Sequence, residues 1–330
     1  MKTFFLTLGF WGMLLIAISA PFKSDIQPEI STLQKSKASL AATAPICLDR
    51  GNLPKEEMYW LYMPVDASEL ATSEYYGYLS GQLILSGAVN ASDCPLNGLW
   101  PNGYANACGL EKTREASLYL QNVFDDEIVS AGKGIGVPPV MLKQLIRYES
   151  QFWPGQMGAY HFGLGHLTNT GALTGLSWSR QLYKDMSEKV APGYELSPGV
   201  LAGELLSSMV ATCETCPLKV NVPKAEESIY YIAEVLLAYC KQTSQVVYNA
   251  TEKNAGDVVD YATIWRLTLL NYNVGPVCVY DGIRATYRSD DAKPGDRINW
   301  DMISKNIQSN YCKRGVGYVD KITAKYYDFE

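Results

Sequence analysis

Leu142, Leu145, Ile146 and Glu149 stand at i, i+3, i+4 and i+7, an apolar stripe that ends in a carboxylate. That spacing places the four side chains on one face of a helix. Pro138-Pro139 suits the helix opening, and Trp153-Pro154-Gly155 stops it. Upstream, Ser117 to Ala131 has helical apolar spacing, which Gly132 to Gly136 interrupts, and Ser68 to Leu85 is an aromatic-rich helical stretch. Downstream, Ile229, Ile232, Ala233, Leu236, Leu237 and Cys240 recur with the same period, as do Tyr261, Ile264, Trp265, Thr268 and Tyr272. All predict helices packed inward. Residues 171–228, with Pro192-Gly193, Pro198-Gly199 and a Cys-x-x-Cys pair, read as partly helical and partly irregular. No strand run competes and no internal repeat is visible, so the expected fold class is mainly α.

The N-terminus has a different pattern. Lys2 precedes a charge-free run from Phe4 to Ile18, the form of an export signal over residues 1–20 or of an uncleaved anchor. It is the one route to a membrane tether, because no second apolar stretch approaches the ~20 residues of a span. Residues 21–45, rich in Ser, Ala, Lys and Pro, read as a flexible spacer. The bulk of the chain is therefore expected outside the cytoplasm.

At 330 residues and 47% apolar composition, the chain can bury one substantial core and a smaller accessory region. The expected division is an accessory region over 46–110, packed on the rest, and a main domain over 111–330. Eight cysteines, Cys47, Cys94, Cys108, Cys213, Cys216, Cys240, Cys278 and Cys312, are an even number in an exported chain and read as disulfides of unspecified pairing. A zinc or redox role for Cys213 and Cys216 lacks a second ligand pair nearby, since the histidines, His161 and His166, lie far upstream; no metal is expected. The net charge of −6 and the absence of a Lys/Arg cluster argue against nucleic acid as a partner.

A carboxylate on an apolar helical face is neutral, paired, or at the rim of a cleft. Glu149 fits a solvent-reaching residue paired with Arg147, and equally a general acid. The wider pattern separates these. Glu149-Ser150-Gln151-Phe152 resembles the Glu-Ser motif of lytic transglycosylases of goose-type lysozyme-like fold. Gly163-Leu164-Gly165-His166 is similar to that family's Gly-Leu-x-Gln motif, and Asn271-Tyr272-Asn273-Val274-Gly275-Pro276 to its Ala-Tyr-Asn-x-Gly-Pro motif. The helix from Glu226 to Cys240 and the tail from Tyr318 to Tyr326 also occupy familiar positions. The resemblance covers about residues 129–327.

It implies a lysozyme-like helical domain; the expected N-terminal helical cap lies outside the resemblance, and the stretch at about 171–228, which the family spans with far fewer residues, reads as a disulfide-containing insertion. It implies cleavage of the β-1,4 bond between N-acetylmuramic acid and N-acetylglucosamine in peptidoglycan strands, forming a 1,6-anhydro sugar with no cofactor. Glu149 would act as acid and then base. Ser150, Gly163, Leu164, His166, Tyr272 and Asn273 would bind substrate, with Tyr272 touching Glu149. The residues themselves also allow Ser150 as a helix-end cap and Tyr272 as a core tyrosine. His166 stands where the family has Gln, which introduces a shorter, titratable group and a pH-sensitive activity. Trp153, Trp178, Trp265 and Trp300 are either sugar platforms or core residues. Two rival functions are a hydrolytic muramidase, favoured by a second carboxylate such as Asp257 or Asp260 across the cleft, and a catalytically silent glycan-binding protein.

Overall fold

The structure is a computed structural model that describes residues 45–49 and 58–324. The expected export signal or anchor and all of the expected spacer except Pro45 lie outside the described residues. So does the tail beyond residue 324. Pro45 itself opens a short helix, Pro45–Leu48. Among the described residues, no helix is long and apolar enough to cross a membrane.

The protein is mainly helical, arranged around one long helix, Val222–Thr251. The Asn221 side chain caps its start by accepting from the Lys224 N–H. At 30 residues it runs for roughly 45 Å, and Ile229, Ile232, Val235 and Leu236 are fully or almost fully buried. Helices Asn169–Trp178, Asp125–Ile135, Tyr261–Val274 and Pro276–Arg288 pack around it. The glutamate-bearing helix runs Pro139–Ser150, as its sequence predicts, and stops where Gln151 takes a left-handed conformation at φ 48°. The C-terminal helix, Asn310–Thr323, lies against both Tyr261–Val274 and the glutamate helix. Gly315 permits that approach: a Cβ there would stand 2.5 Å from the Val274 side chain. The Cys278–Cys312 disulfide pins the same helix to Pro276–Arg288.

Several elements depart from the sequence reading. The helix expected over 117–131 is two, Arg114–Asn122 and Asp125–Ile135, and the second continues through Gly132 before Gly136, at φ 92°, ends it. Acidic residues Asp125, Asp126 and Glu127 favour a fresh start there, because they complement the positive end of a helix. The stretch from Ser68 to Leu85 is a turn of 3-10 helix, Ala67–Leu70, and a separate helix, Gly77–Leu85. A small antiparallel hairpin, Gln156–Met157 with His161–Phe162, appears where no strand was expected. Its two-residue strands are too short for periodicity to register.

Residues 171–228 hold helices Arg180–Val190 and Pro198–Met209 and a Cys213–Cys216 disulfide. A short repeat also emerges. Cys94-Pro95-Leu96-Asn97 and Cys216-Pro217-Leu218-Lys219 adopt the same turn, with Leu96 and Leu218 at φ 54° and 52° and the following residues also left-handed. The other two disulfides are Cys94–Cys108 and Cys47–Cys240. Four such bonds fit an oxidising environment.

The accessory region is built into the same body, and the expected boundary at 110 falls inside helix Ala107–Lys112. Lys143, on the glutamate helix, is fully buried and donates to the Leu70 carbonyl and to Asp125, both at 2.6 Å. Gln151 accepts from the Tyr78 N–H at 2.8 Å. Burial lifts the Asp125 carboxyl to about 6 against the pull of Lys143, and burial likewise pulls the Lys143 ammonium down. Desolvation thus offsets much of the attraction in this pair. Lys143→Met alone is expected to cost about 3–5 kcal/mol, by leaving Asp125 buried and unpaired, whereas Lys143→Met with Asp125→Leu recovers more than half. Guanidinium unfolding of the two variants measures the difference.

Candidate active site

Glu149 sits in the last turn of its helix, where the apolar stripe reaches the edge of the core. Its side chain is 16% exposed, and it lines a small cleft with His161, His166, Leu167, Thr168, Gly171, Tyr239, Tyr272 and Asn273. The three segments that carry the sequence motifs meet at this cleft: Glu149 from the first, His166 from the second, Tyr272 and Asn273 from the third.

The two carboxylate oxygens of Glu149 have different surroundings. Oε1 accepts a 2.6 Å hydrogen bond from the Tyr318 hydroxyl, donated from the C-terminal helix. Oε2 lies 3.5 Å from His166 Nδ1. Burial, and then the negative charge of Glu149, hold both Tyr318 and Tyr272 well above the usual tyrosine range, so both stay protonated. A Tyr318 hydroxyl that must donate makes Oε1 the acceptor and directs any proton on the carboxyl to Oε2. The partner of Glu149 is therefore Tyr318 rather than Tyr272. The Tyr272 hydroxyl instead donates to the Gly165 carbonyl at 2.6 Å, tying the third motif to the second. The tyrosines form a wall: Tyr239 packs on Tyr272 at 5.1 Å between ring centres, and Tyr148 on Tyr318 at 5.1 Å.

The segment around His166 is a tight turn, closed by paired hydrogen bonds between Phe162 and Leu167 and by one from His166 N–H to the Gly163 carbonyl. His166 is held at φ 46°, an uncommon conformation that histidine adopts more readily than most side chains do. Its ring is buried and meets the ring of His161 edge to face at 5.8 Å.

Two expected substrate contacts face elsewhere. Ser150 is fully buried and donates to the Ile146 carbonyl at 3.1 Å; one residue past Glu149 is about 100° further round the helix, which turns it to the core. Leu164 is also fully buried. Gly163 sits at φ 67° against the Met209 backbone, where a Cβ would come within 2.2 Å of the carbonyl oxygen; its role is close packing of the turn on helix Pro198–Met209. Asn273 is exposed and lines the cleft. Of the tryptophans, Trp153, Trp265 and Trp300 are core residues, at 5%, 0% and 4% exposure.

Sequence reasoning missed Tyr318, Tyr239, His161 and Thr168. Tyr239 was within reach, because it continues the helical face of Ile232 and Leu236. Tyr318 was visible only as the start of a tail in a familiar position, and nothing local tied it to Glu149, 169 positions away. Among the described residues, no group of three or more His, Cys, Asp or Glu side chains could hold a metal ion. Neither protein families, curated proteins nor solved structures contain a match to this chain.

Two substitutions test this geometry by thermal unfolding. Tyr272→Phe leaves the buried Gly165 carbonyl without its donor and is expected to cost about 1–3 kcal/mol. Gly163→Ala forces both a left-handed alanine and a clash with Met209, with an expected loss above about 2 kcal/mol.

Proposed function

We propose that this protein is an exported peptidoglycan lytic transglycosylase of lysozyme-like fold, with Glu149 as its catalytic acid and base. The observation that carries the reading is the convergence of three sequence-distant motifs on one cleft around a carboxylate whose two oxygens are distinguished by Tyr318 and His166. Four disulfides are in keeping with an extracytoplasmic location.

In the proposed reaction the proton on Glu149 Oε2 passes to the glycosidic oxygen as the bond from N-acetylmuramic acid breaks. The substrate's N-acetyl group supports the electron-deficient carbon, in place of the second carboxylate that most glycosidases use. Glu149, now a carboxylate, takes the proton of the sugar's own 6-hydroxyl as that oxygen attacks, closing the 1,6-anhydro ring. No water is consumed. The Tyr318 hydroxyl stabilises the charged form between the two steps, and Asn273, which lines the cleft, would hydrogen-bond the glycan.

A hydrolytic reaction would draw on a second carboxylate. Asp260 accepts from the Thr263 N–H at the start of helix Tyr261–Val274. Tyr272 is twelve residues further along, roughly 18 Å at helical rise, so Asp260 belongs to the far end of that helix, as does Asp257 on the short helix Ala255–Val258 just before it. This favours the transglycosylase over the muramidase.

Glu149→Gln keeps the shape of the side chain and removes the transferable proton, so turnover should fall at least about 100-fold with the fold intact. Mass spectrometry of products released from bacterial peptidoglycan is the measurement: anhydro-muropeptides support the proposal, and reducing ends one water heavier point to the muramidase. Activity retained by Glu149→Gln would sink both, and glycan binding without release would leave a binding protein. Tyr318→Phe should lower kcat by about 10- to 100-fold, the worth of one hydrogen bond to a charged group, with little change in KM.

A further inference from the structure

A strand of peptidoglycan is far longer than the cleft around Glu149, so the surface leading away from it bears on how the polymer is held. Among the exposed rings are two that the sequence reading did not name. Trp100 is 54% exposed and Tyr104 41%. They flank a turn that is rigidly built: Trp100 N–H donates to the Tyr104 carbonyl at 2.7 Å, Gly103 N–H donates back to Trp100, and the Asn102 side chain accepts from Tyr104 N–H. Ala105 N–H donates to Gly77, and the Cys94–Cys108 disulfide closes the base.

This turn connects to the end of the glutamate helix. The Tyr104 ring packs on the Tyr78 ring at 5.8 Å, and the Tyr78 N–H donates to the side chain of Gln151, two residues beyond Glu149. The turn is therefore tied, through Tyr78, to the residues that end the glutamate helix. The stretch 94–110 carries no charged residue, and its exposed polar side chains include the amides Asn97 and Asn102.

We infer that Trp100 and Tyr104 form a glycan-binding platform that holds the peptidoglycan strand beyond the catalytic cleft, an inference that rests on the function proposed above. Flat rings on a rigid turn bind at low entropic cost. They offer apolar faces to the C–H faces of pyranose rings, while neighbouring amides meet hydroxyl groups. A turn with no charged residue of its own, beside the paired and mutually neutralising Asp93 and Lys112, suits a polymer recognised through hydroxyls better than a partner recognised through charge.

The test uses the full mature chain. In a Glu149→Gln background, Trp100→Ala and Tyr104→Ala should each weaken co-sedimentation with purified peptidoglycan about tenfold, with unchanged thermal unfolding, and Trp100→Tyr should restore most of it. In the active enzyme, Trp100→Ala should raise KM for polymeric peptidoglycan by a similar factor and leave turnover of a short glycan fragment unchanged. Wild-type binding and KM in both alanine variants would overturn the platform and leave the turn as a face for a protein partner. An equal loss on short and long substrates would also overturn it. Ring-dependent sedimentation without anhydro products from the wild type would retain the platform and sink the transglycosylase.

Discussion

The hydrogen bond from Tyr318 to Glu149 joins positions 169 apart and sets the orientation of the carboxyl group around which the site is arranged. It forms because the C-terminal helix crosses the glutamate helix closely, with Gly315 removing the side chain that would hold it off Val274 and Leu270. The Cys278–Cys312 bond fixes that helix to its neighbour Pro276–Arg288. The outcome is a carboxyl group with one oxygen occupied by an obligate donor and the other facing the cleft. A lone glutamate at a helix end would sample both orientations; this one is set by the packing of two helices.

The second constraint is the turn that carries His166. Its shape is over-determined by the Phe162–Leu167 pairing, by Gly163 against Met209, and by the Tyr272 hydroxyl on Gly165. Met209 belongs to the 171–228 segment, so that segment supports the wall of the cleft from behind. The accessory region acts similarly at the other end of the glutamate helix, where Leu70 and Tyr78 are tied to Lys143 and Gln151. The residues of the candidate site are thus clamped between two parts of the chain that lie outside the recognisable motifs, the kind of support that holds side chains in a narrow range of geometry.

The sequence by itself determined the helices, the stripe leading to Glu149 and the three motif segments. The helices and the stripe follow from local rules, apolar period, proline at a first turn, glycine at a stop, whereas the motif segments stand out only through their resemblance to a known family. It also determined that eight cysteines should pair. It left open which cysteine meets which, because pairing depends on distance in space, and Cys47 finds Cys240 across 193 positions. Tertiary structure alone decided that Ser150 turns to the core while its neighbour Glu149 faces the cleft, that Tyr318 and not Tyr272 donates to the carboxylate, and that Trp265 is core while Trp100 is surface. In each case the residue type admits both fates, and the choice is made by which helix packs against it, a contact that no local pattern encodes.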